Sequence, residues 1–172
     1  MKLVVLKSKV ISCSSFASNR KTINNKPNPN VLIVTPSRYE TAHLQRTKRV
    51  FEVFGIDSRE IVSNIYCRDE SDHTVCVENI CFYTDHYDCS AIMCYDSRDS
   101  KSHDFVNRIA QRTILPTIYI SSKKKDPKQL TGHPVVTFPD DSSINAAIFL
   151  VQILSLKYAS ILHKLQQMQR SK

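Results

Sequence analysis

The segment VLIVTPSRYETAHLQRTKRVFEVFGI, Val31 to Ile56, constrains the fold more than any other part of the chain. It opens on a short apolar run, Val31 to Val34, rich in β-branched residues, which reads as a buried strand. Thr35-Pro36-Ser37 breaks that run. Leu44, Thr47, Val50, Phe51 and Phe54 then recur at helical spacing until Gly55 stops the pattern. Ser37 followed by Glu40 is a capping-box spacing, in which hydroxyl and carboxylate satisfy orphan N–H groups of the first helical turn. A strand, a tight turn and a helix start also form the place where an open α/β sheet holds anions, because the helix amides point at them. Ser37, Arg38 and Glu40 are therefore either a helix cap or a ligand turn.

The rest of the chain repeats the grammar. Arg59 to Tyr66 reads as a second strand, His73 to Tyr83 as a short helix, and Cys89 to Tyr95 as a third, buried strand. Phe105, Val106 and Ile109 mark a third helix. Thr117 to Ser121 and Val135 to Phe138 complete the strands, and Ser142 or Ser143 caps one long final helix running to about Met168. Apolar strands alternating with helices predict an α/β three-layer sandwich around a parallel, flavodoxin-like sheet. In strand order 2-1-3-4-5 the switch point lies between the first and third strands. The loops facing each other there are Thr35–Tyr39 and Tyr95–Lys101, and Arg38 with Arg98 is a candidate phosphate pair.

Composition sets the boundaries. At 172 residues the chain is most simply one domain. The turn-rich run Asn24 to Asn30 separates residues 1–30, a basic tail or an organellar targeting segment, from a domain at 31–172. The tail holds six of the 24 Lys and Arg and no acid, leaving 18 against all 16 Asp and Glu, so the domain is nearly neutral despite the overall +8. With Lys123–Lys125 and Lys128 read as a solvated loop, nothing points to nucleic acid. The six cysteines show neither C-x-x-C nor zinc-finger spacing and read as reduced core residues, which favours a cytoplasmic protein. Cys89 and Cys94, five apart on one strand, are expected to face opposite sides. No apolar run reaches the ~20 residues that span a membrane.

Four pieces in order resemble the phosphoribosylaminoimidazole (AIR) carboxylase family (PurE-like), especially the animal-type domain fused to SAICAR synthetase. They are the Pro36-Ser37-Arg38-Tyr39-Glu40 turn, Phe54-Gly55-Ile56, Leu115-Pro116-Thr117-Ile118, and Pro139-Asp140-Asp141-Ser142-Ser143 with Ala146-Ala147; His43 also suits the animal-type pattern. The resemblance implies purine biosynthesis, carboxylation of aminoimidazole ribonucleotide without metal or organic cofactor, and a homo-oligomer built through the C-terminal helix. It matches Ser37 and Glu40 to the family's phosphate- and ribose-binding turn, and with the two switch-point loops the candidate ribonucleotide-binding residues are Ser37, Arg38, Glu40, Ser97 and Arg98. It also shows what has changed. Pro36 stands at the family's glycine, and Tyr95–Ser100 replaces a glycine-rich loop without any glycine. In gapless register Tyr66 stands at the motif histidine, a one-residue shift putting Cys67-Arg68 there instead, and His103 lies near a histidine of the microbial branch; Tyr66 and His103 are the candidates for proton transfer. The expectation is an AIR carboxylase-like protein with impaired or lost catalysis. The alternative is a non-catalytic paralogue used as an oligomerisation or interaction module.

Overall fold

A computed structural model describes residues 28–35, 42–62, 70–95, 102–121 and 135–171. Five strands, β1 (Asn30–Thr35), β2 (Asp57–Val62), β3 (Cys89–Tyr95), β4 (Thr117–Ser121) and β5 (Val135–Pro139), form one parallel sheet in the order β2-β1-β3-β4-β5. The helices are α1 (Ala42–Phe54), α2 (Glu70–His86), α3 (Ser102–Arg112), α4 (Ser143–Ser155) and α5 (Ala159–Arg170). One core layer joins α1, α4 and α5 to Val31, Ile33, Ala91, Met93 and Ile118; the other joins α2 and α3 to Leu32, Val34, Ile92 and Tyr119. This is the expected flavodoxin-like three-layer sandwich, with helices on both faces of a parallel sheet.

Why the chain turns where it does can be read locally. The α1 helix ends in a Schellman arrangement, with Ile56 N–H donating to Phe51 O at 2.9 Å and Gly55 N–H to Glu52 O at 3.0 Å. Gly55 supplies the left-handed φ of 71° that this cap needs. Strand pairing then starts at once, Asp57 opposite Asn30, so β2 begins two residues before the expected Arg59 and ends at Val62. It is an edge strand with mostly exposed residues, not a run apolar on both sides.

Three further expectations are corrected. The final helix is broken. Tyr158 adopts an extended conformation, is buried, and shares a 2.7 Å hydrogen bond with Ser90 of β3. Anchoring that ring turns the chain back, so Ile161 and Leu165 of α5 enter the core instead of running off the sheet. Cys89 and Cys94 face the same layer, not opposite ones. The register of β1 on β3 skips Ser90, pairing Asn30 with Cys89 and then Val31 with Ala91, and this bulge rotates Cys89 to the side of Cys94. Helix α2, Glu70–His86, is also longer than the expected His73–Tyr83, and Asp88 two residues after its end lies in the left-handed region at φ 46°.

Candidate functional site

The strand order puts the switch point between β1 and β3, so segments 36–41 and 96–101 leave the sheet from neighbouring strands. Ser37, Arg38, Glu40, Tyr66, Ser97 and Arg98 lie outside the described residues. His103 falls in the first turn of α3, its side chain outside the described atoms. His43 is in the first turn of α1 and half-buried.

At the C-terminal ends of β1 and β3, on the α1 side, the described residues form two polar chains. Thr35 and Tyr95 are the last residues of β1 and β3, and each is fully buried. The Tyr95 hydroxyl donates to Thr47 Oγ1 at 2.7 Å, and Thr47 Oγ1 donates to the Ser143 carbonyl at 3.5 Å. This chain crosses from strand to α1 to the start of α4, through the most buried part of the edge. Beside it, Thr35 Oγ1 donates to Glu60 Oε1 at 3.0 Å, while the other Glu60 oxygen pairs with the Lys48 ammonium. The Ser143 hydroxyl, in the first turn of α4, is buried without a hydrogen-bond partner among the described residues.

Each of these groups is where it is for a local reason. Thr47 sits on the core stripe of α1 with Leu44, Phe51 and Phe54, where a hydroxyl must find a partner. Tyr95 occupies the same face as Ala91 and Met93, and its ring fills the space under α1. Glu60 lies opposite Ile33 in the parallel register, hence on the α1 face, within reach of Lys48. The sequence did carry a signal for this group: a threonine at a buried helical position and a tyrosine closing an apolar strand. Glu60 gave none, because an isolated acid in an edge strand looks like a solvated residue.

Chemically the arrangement holds rather than reacts. Hydroxyl donors and a carboxylate paired with Lys48 fix the ends of β1 and β3 and the start of α4 against the middle of α1. Among the described residues no three His, Cys, Asp or Glu side chains come together as a metal site. The buried thiol of Cys94 is pushed up to about 12 by desolvation, and that of Cys89 to about 11, chiefly by burial with the Arg59 guanidinium opposing. Neither is a nucleophile at neutral pH. Among the described residues no helix is long and apolar enough to cross a membrane.

No protein-family model and no curated protein matches this sequence. Among solved structures, one resembling it is described as an ABC transporter, LacI family transcriptional regulator from Brachyspira murdochii. It is 16% identical, with a TM-score of 0.43, over 74% of this chain and 38% of that one. Another is a 3-dehydroquinate dehydratase-like protein from Bifidobacterium longum, 11% identical, with a TM-score of 0.47, over 74% of this chain and 97% of that one. At these values neither likeness bears on what the present chain does.

Proposed function

We propose that this chain is an AIR carboxylase-like protein whose switch point binds an aminoimidazole ribonucleotide or a close relative, with catalysis impaired or lost. The observation that supports this reading best is the 2-1-3-4-5 strand order. With β1 and β3 adjacent, the segments carrying Ser37, Arg38 and Glu40 and carrying Ser97 and Arg98 start from neighbouring strand ends. The motif pieces also have structural sense. Phe54-Gly55-Ile56 is the Schellman turn, Leu115-Pro116 leads into β4 with Pro116 O accepting from Ile92 N–H, and Pro139–Ser143 opens α4. Loss of catalysis follows from residue chemistry. In gapless register a tyrosine replaces the motif histidine; the ordinary pKa of a tyrosine side chain is about 10, far from neutral pH, and losing a general acid–base typically costs 10²–10⁴-fold.

Calorimetric titration with AIR and carboxy-AIR, joined to a decarboxylation assay, tests this. Binding without turnover is the expected result. Replacing Ser37 and Arg38 by alanine should weaken that binding at least tenfold, the scale of one charged hydrogen bond. Absence of binding to the unmodified protein removes the reading, and turnover at ordinary enzyme rates removes the claim of lost catalysis.

A specific observation favours the second reading, a non-catalytic module that assembles with itself. Leu156 in the turn after α4, Leu162 and Met168 on α5, Ile144 on α4 and Val136 on β5 leave apolar side chains exposed, Leu156 at 88% exposure. Sedimentation equilibrium of the full chain and of Leu156→Asp tests the self-association that both readings expect, and the calorimetric titration separates them: a module that only assembles dissociates in the variant and binds neither ribonucleotide.

A further inference from the structure

We propose that the basic N-terminal segment, residues 1–27, docks on the acidic, aromatic surface made by the last turns of α2 and the start of β2. The chain reaches the sheet at this surface. Pro29 O accepts from Asp57 N–H at 2.9 Å, and the Asn30 side-chain amide donates to Tyr87 O at 3.0 Å. Whatever precedes residue 28 therefore starts beside Asp57 and Tyr87.

The surface has the complementary charge. Asp57, Asp85 and Asp88 are exposed around that point. Glu60 is already neutralised by Lys48, and the Arg59 guanidinium lies over the Tyr87 ring, 4.2 Å from its centroid. Among the described residues, three exposed carboxylates thus flank a surface whose Arg59 is engaged on a ring, with Arg112 beyond Cys81. On the other side, residues 1–27 contribute Lys2, Lys7, Lys9, Arg20, Lys21 and Lys26 with no acid.

The surface is also apolar in a way that water does not explain. Phe82, 62% exposed, stacks on His86 at 5.7 Å, and Tyr83 stacks on Tyr87 at 5.9 Å. Next to this double ladder is a depression of about 440 Å³ lined by Arg59, Glu60, Ile61, Tyr83 and Tyr87. The segment brings matching groups, Leu3–Leu6, Val10, Ile11 and Phe16, interleaved with its lysines. Cations over aromatic faces ringed by carboxylates gain from both partners.

Geometry permits it easily. Ten residues extended span roughly 33 Å, longer than the ~25 Å of a 17-residue helix such as α2. Tethering supplies the rest, since a short linker holds its ligand at effective concentrations near millimolar, where weak contacts suffice. A second copy pairing along β2 fits less well, because Asp57, Arg59 and Glu60 place alternating charges on that edge.

The test uses the full chain. Zero-length carbodiimide cross-linking of an equimolar mixture of isotopically light and heavy protein should join the segment's lysines to Asp57, Asp85 or Asp88 within one chain. In parallel, tryptic cleavage within the segment should be about fivefold faster in Asp57→Asn/Asp85→Asn/Asp88→Asn than in the parent at low salt, the scale of a few exposed charge contacts. Asparagine at position 88 keeps a residue tolerant of the left-handed φ of 46° there. Lys7→Glu/Lys9→Glu leaves the domain untouched and should lose the same cross-links. Links formed only between light and heavy chains, or cleavage equally fast in parent and triple variant, overturn the proposal.

Discussion

Tyr95 and Thr47 illustrate how single residues hold the switch point together. A net hydrogen bond of this kind is worth about 1 kcal/mol, and a buried hydroxyl left alone costs about 1–3 kcal/mol. Tyr95→Phe is therefore expected to destabilise the protein by about 1 kcal/mol, and Thr47→Val by a similar amount. Because both changes break the same 2.7 Å contact, the double variant should cost less than their sum in denaturant titrations. The cysteines obey a different rule. Burial raises Cys94 from its ordinary 9.0 to about 12 and Cys89 to about 11. The folded state then holds protons that the unfolded chain gives up. Stability contributed by the neutral thiols is complete below pH ~9 and falls as pH rises from there through about 11 and 12. Urea midpoints measured across that range should decline, and Cys94→Ala should flatten part of the slope. The cysteine spacing alone foretold small core residues, but not that the Ser90 bulge would turn both to one layer.

At the level of elements, the sequence was most legible where one residue type has one physical use. Gly55 ends α1 because the Schellman cap needs a positive φ. A Cβ there would also stand 2.9 Å from Lys164 Nζ, which donates to Val53 O at 3.3 Å across the α1–α5 contact. Gly55→Ala should lower stability by roughly 1–2 kcal/mol, from backbone strain alone if the lysine swings away. Thermal unfolding of Gly55→Ala with and without Lys164→Met decides the share of each: partial rescue by the second change identifies the clash. Legibility failed where tertiary contact outvoted local pattern. Residues 143–168 keep helical periodicity throughout, yet Tyr158 leaves the helix to reach Ser90, a partner 68 positions earlier. In β2, edge position and the immediate turn after Gly55 moved the strand toward the N-terminus, and no apolar alternation existed to mark it. The candidate site was legible only as a location. Strand order follows from the pattern of elements, whereas Glu60–Lys48 and Tyr95–Thr47 depend on register and packing that spacing does not encode.

Across the whole molecule, the two faces of the sheet are covered unequally at its edges, and this sets how it should open. β1 and β3 lie at its middle, paired on both sides, with Val31–Thr35 and Ala91–Tyr95 fully buried between the helical layers. β4 is likewise buried along its length, between β3 and β5. β2 is paired only with β1 among the described residues and exposes Asp57, Arg59, Glu60 and Val62. Local opening draws on the elements with fewest buried contacts, so native-state hydrogen exchange should grade accordingly. Amides of β1 and β3 are expected to exchange only through global unfolding, with a steep denaturant dependence. Those of β2 should exchange through a smaller opening, faster and less sensitive to denaturant. The switch point then sits on the most protected strands while its neighbour β2 stays mobile on the exchange timescale. A site suspended from β1 and β3 keeps its geometry during such opening. The exception is Glu60, which β2 carries: when β2 opens, Thr35 and Lys48 lose their shared carboxylate. Glu60→Gln should accordingly speed exchange in β2 and leave β3 unchanged, and equal acceleration in both strands would show that the sheet opens as one unit.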